Sequence, residues 1–446
     1  MAFVKMSPCY VGNYRVSSRV PGTGSAFMAS DTFTGEAAVV KFGRGVHGSR
    51  KVAAEGYILG RLAGTPGIPR LHWSGWPFAD KVDAAIVVDT HGPTLESLFD
   101  QAGRRLSLGT VLHLADQLLR RLEHIHSRSV IHQDLSPHTL ALGATRLHRH
   151  QMFIVDFDCA EVTSCRSKMH ANLKALGHIL IYLLGTNLSW AAFQKVAEDT
   201  GTFPINNIPP PFLLYLDRIT RVDSEDYQHL RNDFGYFREL LGISGNCCLD
   251  FSNSVQDPRA GRTLCTAEKI ENNRSDIKHL YDMLHRAGGS VKGTGLPLSA
   301  AQEAGLLDSL SRTLGLYMDI LIYEKTASTT PAALTRPYEL PNCIWRDMRW
   351  YLAMAGSRSK TVRKGVMELC YSFVAVLVET VPRYELQWLA GLIALSNRRK
   401  GMEDDDWEQR IWQSVGLRWQ KQYSRLWREC FPNSTALSTE PELPLL

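Results

Sequence analysis

The sequence predicts an α+β protein: a small strand-rich lobe, then a helical lobe, then a separate all-helical region. Three observations carry this. Short β-branched and aromatic runs separated by turn residues fill residues 13 to about 95. From residue 106 the apolar residues recur at helical spacing. Residues 244–275 lose periodicity and are rich in Asn, Ser, Gly and Cys, before helical patterning resumes over 276–430.

Taken in order, "NYRVSSRV", "AFMAS" and "AAVVKF" read as strands separated by turns, among them "PGTGS". Residues 53–63 (AAEGYILGRLA) read as a helix with Tyr57, Ile58, Leu59 and Leu62 as its apolar stripe. "AAIVVDT" is a buried strand. In "SLGTVLHLADQLLRRLEHIHS" a broad face gathers Val111, Leu112, Leu114, Leu118, Leu119, Leu122 and Ile125, with Ser107 as N-cap. Two short strands, "LAL" and "MFIVDF", flank the polar stretch "GATRLHRH". Its His148 and His150 have no Cys or carboxylate at ligand spacing, so the stretch reads as an exposed hairpin tip. Leu173 to Leu184 is apolar enough for a buried helix. Domain boundaries are expected at 1–243, 244–275 (linker), 276–430 (helical) and 431–446 (disordered tail).

Composition narrows the function. Of 446 residues, 44% are hydrophobic and 21% charged, which is globular usage rather than that of a disordered or coiled-coil chain. The net charge of +5 is spread over both halves, so no nucleic-acid tail is expected. The nine cysteines include no CxxC and read as free thiols. The N-terminus has no continuous apolar stretch, and no run reaches the ~20 residues of a membrane helix. A soluble, intracellular protein, cytoplasmic or nuclear, with no membrane partner is expected.

The polar residues at the junction of the two lobes suit phosphoryl transfer, which relies on positioning and charge neutralisation. It needs a lysine on the phosphates, a carboxylate to orient that lysine, a carboxylate near the attacking hydroxyl, and metal ligands. Lys41 ends a strand, and Glu55 on the next helix is a suitable partner for it. Asp134, preceded by His132, lies in "VIHQDLSPHTLALG". Asp156 follows an apolar strand in "MFIVDFDCAE". Each is weak alone, but the ordered set of four is a strong signal.

These segments resemble the casein kinase I family of Ser/Thr protein kinases. "ADQLLRRLEHIHSRSVIHQDLSPHTLALG" is similar to that family's catalytic loop and the helix before it, and "GIPRLHW", "GPTLESLF", "FIVDFD" and "LKALGHILIYLLGTNLSW" follow the same order. The resemblance covers roughly residues 13–240. It implies a bilobal protein-kinase-like fold with ATP between the lobes. It also implies phosphate contacts from Lys41, a Glu55–Lys41 pair, Asp134 as catalytic base and Asp156 on magnesium. Gly22 and Gly24 would lie over the phosphates, and Asp89 and His91 would offer hinge backbone groups to adenine behind Val88.

The departures from that pattern are coherent. The glycine loop is shortened to "VPGTGSAF", and Pro21 lacks an amide proton. Ser136 stands where the family has a catalytic-loop lysine, and Thr139 where it has a metal-binding asparagine, so Thr139 would offer magnesium only a hydroxyl. Asp158 replaces a glycine and Gln133 an arginine. Val39 and Ala141 exchange the sizes of the side chains above and below adenine, which roughly conserves volume. The activation segment is truncated: Asp156 precedes Asn172, the stand-in for a buried aspartate, by only 16 residues.

The departures favour a regulatory or scaffolding pseudokinase that retains ATP. The open alternatives are an active or weakly active kinase and a pure adaptor working through the helical region. That region holds seven of the ten tryptophans and resembles no family we recognise; it is expected to bind protein partners. In "DDDWEQRIWQSVGLRWQKQYSRLWREC", Trp412 and Trp419 share a helical face flanked by Arg418, Lys421, Arg425 and Arg428. This is read as core with a solvated basic rim rather than a nucleic-acid surface.

Overall fold

Six N-terminal strands form one antiparallel sheet in the computed structural model, which describes residues 9–20, 25–77, 83–145, 147–205, 208–221, 227–240, 300–326 and 340–430. The strands are β1 (Tyr10–Val11), β2 (Tyr14–Arg19), β3 (Ala26–Asp31), β4 (Ala37–Gly43), β5 (Leu71–Gly75) and β6 (Ala84–Asp89). Their order is β1-β2-β3-β4-β6-β5. Strand alternation sorts the side chains between two faces. Ala38, Val40, Ala85 and Val87 join Val11 and Ala29 in a small cluster. Ile86 and Val88 instead join Val52, Ile58 and Leu59 of helix α1 (Gly45–Arg61) in the main core.

Helix α1 begins at Gly45, two turns before the expected Ala53. Its first turns are fixed by tertiary contacts: buried Ser49 donates to the Gly43 carbonyl at 2.8 Å and accepts the Ala84 amide at 3.0 Å. Tyr57, expected on the apolar stripe, faces solvent at 53% exposure, while Glu55 and Gly56 take the buried face with Ile58 and Leu59.

A second layer begins with β7 (His91–Thr94) and α2 (Leu95–Gln101). The central helix α3 (Leu108–Ser127) is capped by Ser107, whose side chain accepts the Thr110 amide at 3.3 Å. All seven residues expected on its apolar face are buried. The short strands β8 (Val130–Ile131), β9 (Leu140–Gly143), β10 (Met152–Ile154) and β11 (Glu161–Val162) follow. They make a three-stranded sheet, β10-β9-β7, and a β11-β8 pair. The connection between β9 and β10, expected as an exposed tip, is partly anchored instead. Leu147 is buried there, and His148 and His150 are half-buried. His148 stands edge-on to Phe153, and the His150 carbonyl accepts Gln117 Nε2 at 3.0 Å. Helices α4 (Arg166–Tyr182), α5 (Trp190–Thr200), α6 (Pro210–Arg221) and α7 (Tyr227–Leu240) complete this part.

The chain divides into two compact units, Met1–Cys265 and Thr266–Leu446. The second contains α8 (Ala300–Thr326), α9 (Leu340–Ala355), α10 (Lys360–Thr380), α11 (Glu385–Lys400) and α12 (Asp406–Cys430). Trp345 and Trp388 pack with ring centroids 5.9 Å apart. Trp412 and Trp419 are core residues: Trp419 Nε1 donates to the Tyr371 hydroxyl at 2.9 Å, and Trp412 stands edge-on to Tyr371. No single helix among the described residues is long and apolar enough to cross a membrane. Helix α10 passes that test only jointly with residues 382–400, across a 109° bend. The cysteines among the described residues are free thiols. Gly22, Gly24, the segment 244–275 and the tail 431–446 lie outside the described residues.

Candidate functional site

Lys41 lies on β4, paired with Ala26 of β3 and Ile86 of β6. Strand alternation puts it on the face opposite Val40 and therefore toward α1. There its Nζ meets Glu55 Oε1 at 2.6 Å. The same ammonium reaches Asp156 Oδ1 at 2.8 Å, just beyond β10. One cation thus ties the six-stranded sheet, α1 and the segment after β10 together. Asp156 has φ of 65°, a left-handed conformation uncommon for a non-glycine residue.

Burial differs sharply across this triad. The Glu55 side chain is 3% exposed and that of Asp156 53%. Glu55 Oε1 also accepts the Phe157 amide at 3.3 Å. Burial alone would lower the Lys41 pKa, but the carboxylates of Glu55 and Asp156 outweigh it and hold the ammonium above its ordinary value. Burial pushes the Glu55 carboxyl up against the pull of Lys41. Burial acts on Asp156 in the same direction, yet the charge and hydrogen bond of Lys41 hold it below the usual range.

The loop 132–139 is organised from below. His132 is fully buried, stands edge-on to Phe157, and donates through Nε2 to the Val155 carbonyl at 3.0 Å. Asn172 of α4 accepts the His132 amide at 3.2 Å and the His126 Nε2 proton at 3.1 Å on a single oxygen. His126 Nδ1 in turn takes the Tyr227 hydroxyl. Asp134 is exposed at the top of this loop, and its amide donates to the His132 carbonyl at 2.9 Å. Gln133 bonds Glu161, which also pairs with Lys168.

Thr139 is turned into the loop. It is 6% exposed, its hydroxyl donates to the Asp134 carbonyl at 2.9 Å, and it accepts the Ser136 amide at 3.0 Å. Ser136 is buried as well. The hydroxyl anticipated as a magnesium ligand is therefore occupied by backbone. Asp156, the other anticipated ligand, already has one oxygen on an ammonium. Among the described residues no three His, Cys, Asp or Glu side chains gather as a metal-ion group. The two anticipated magnesium ligands are thus both engaged by protein groups in the ligand-free protein.

Asp89 and His91, expected to offer backbone groups to adenine, are partly engaged by the protein itself. The Asp89 amide donates to the Arg70 carbonyl at 3.2 Å and so is not available to a ligand. The Asp89 side chain is half-buried, which alone would raise its pKa, yet Arg70 and His72 clasp it and hold it far below the usual carboxylate range. His91 is exposed and its Nδ1 donates to the Gly92 carbonyl at 2.9 Å. Val39 is partly buried against the main core, and Ala141 is fully buried beside Phe153 and Val155.

Lys41, Glu55 and Asp156 thus meet at one point, while Asp134 is on the loop 132–139, Asp89 ends β6 and His91 begins β7. Sequence reasoning missed Arg70, His72, His126 and Phe157, which hold these positions through contacts distant in sequence. No protein-family model matches the chain.

Proposed function

We propose that the unit Met1–Cys265 is a protein-kinase-like module, related to casein kinase I, that binds ATP but transfers its phosphoryl group poorly, and so serves a regulatory or scaffolding role. The observation that carries this is the Lys41 ammonium held between Glu55 and Asp156 at 2.6 and 2.8 Å. A lysine oriented by a buried carboxylate is a fixed positive point suited to a polyphosphate. The Asn172 oxygen beneath the loop 132–139 supports the same reading, since it fixes the segment that presents Asp134.

Impaired transfer follows from what the loop lacks. Ser136 supplies no charge to a transferring phosphoryl group, and electrostatic stabilisation of that group is normally the largest catalytic contribution. The connection from Ile154 to Arg166 is short and is tied down through the β11–β8 pair. A platform for a protein substrate has little chain from which to form there. The helical unit is assigned the binding of protein partners.

Thermal denaturation of the full chain with saturating ATP tests the reading. The melting temperature rises by mass action in the wild type and not in Lys41→Met. Absence of any shift, with or without magnesium, defeats it. A second reading, a weakly active kinase, is favoured by the exposure of Asp134. Radiolabel transfer abolished by Asp134→Ala would establish that one.

A further inference from the structure

We infer that this site takes a nucleoside di- or triphosphate without a divalent cation, with Lys41 supplying the charge that a metal would otherwise carry. The inference rests on the nucleotide-binding reading above and concerns how the phosphates are held.

Magnesium needs near-octahedral oxygen ligation and gives up its waters reluctantly, so a protein usually holds it by one or two carboxylates together with the substrate's phosphates. Thr139 has its hydroxyl proton on the Asp134 carbonyl and a lone pair on the Ser136 amide. Recruiting it would break the loop that presents Asp134. Asp156 has Oδ1 on Lys41 at 2.8 Å. With the Thr139 hydroxyl taken, the one anticipated metal ligand left is Asp156, an exposed carboxylate that serves as the counter-ion of the lysine in the ligand-free protein.

The difference in burial between the two carboxylates decides what a phosphate would do. Glu55, at 3% exposure, is fixed, and it also receives the Phe157 amide. Asp156, at 53% exposure, can leave Lys41 and be rehydrated at little cost. An incoming polyphosphate then exchanges one anion for another on the ammonium, while Glu55 keeps the lysine in place. In this arrangement Asp156 competes with the ligand. In a metal-bridged site the same carboxylate would recruit it. The two arrangements give opposite signs for a single substitution.

The experiment is a titration of the full chain with ATP, read by isothermal calorimetry and thermal shift, in excess EDTA and in excess magnesium. The expected result is comparable affinity in both, with Asp156→Asn binding ATP roughly tenfold more tightly in magnesium as well as in EDTA because a like charge has gone. Binding that requires magnesium overturns the inference and leaves the nucleotide reading standing. Weaker binding by Asp156→Asn in magnesium overturns it too. No binding in either buffer defeats both. Melting of the ligand-free variants checks their fold, and Asp156→Ser replaces Asp156→Asn should the latter not fold.

Discussion

Glu55 Oε1 receives both the Lys41 ammonium at 2.6 Å and the Phe157 amide at 3.3 Å, in a position with almost no access to water. Replacing it by Gln keeps the shape and removes the charge. Lys41 retains Asp156 and some solvent, so the loss should be about 1–2 kcal/mol, read by urea denaturation. Glu55→Ala should cost more, about 3 kcal/mol, since the amide also loses its acceptor. His126 offers a pH test. Burial pushes its pKa from 6.5 down to about 4, although the bond to Asn172 opposes this. Between those values the unfolded chain binds the proton and the folded protein does not. Stability is therefore fully present above about pH 6.5 and is lost as pH falls toward 4. From pH 7 to 5 this residue alone should remove about 2 kcal/mol, measured as the pH slope of the unfolding free energy. His126→Gln should remove this share of the slope, leaving that of His132 and His148, whose pKa values burial also lowers. His178, also pushed down to about 4 by burial, leaves a residual slope of the same sign.

At the level of elements, glycines separate tight helix packing from free surface. In α11, a methyl group at Gly391 would sit 2.0 Å from the ring of Trp345, a residue 3% exposed with nowhere to go. Gly391→Ala should cost about 1–3 kcal/mol through overpacking. Gly305 in α8 has open space around it, so Gly305→Ala should add about 1 kcal/mol of helix propensity. Urea midpoints of the two variants should move in opposite directions. Elements whose own pattern decides them were legible in the sequence: β4, β6 and α3 follow apolar runs or stripes, as does the apolar part of α4, expected from Leu173 but begun at Arg166 through a polar stretch. Elements made by distant pairing were not. β7 contains Pro93, which argues against a central strand, and it is indeed the edge of its sheet. β8 and β11 have two residues each, too few to show a period. The early start of α1 depends on Ser49 bridging Gly43 and Ala84, which no local pattern encodes.

Across the whole chain, sequence separation governs what could be read. The residues at 41, 55, 134 and 156, each weak alone, were singled out as an ordered set from the strands and helices that flank them. That Lys41 contacts two of the carboxylates at once was not visible, nor was the sharing of one Asn172 oxygen by His126 and His132. The inward turn of Thr139 was equally hidden, because a hydroxyl can lend its lone pair to a metal or its proton to a carbonyl, and the sequence does not say which. The helical unit was legible as helix and core, since Trp388, Trp412 and Trp419 fall on buried faces. Lys41 and Glu55 are 14 positions apart, whereas Lys41 and Asp156 are 115 apart. Closing the longer loop costs more chain entropy, so the first contact can form early, while the second must wait until β10 is seated. Asp156 should accordingly act as a late clasp on the assembled unit. In stopped-flow urea experiments, Asp156→Asn should steepen the escape from the native state, raising the unfolding rate roughly threefold while the refolding rate stays unchanged.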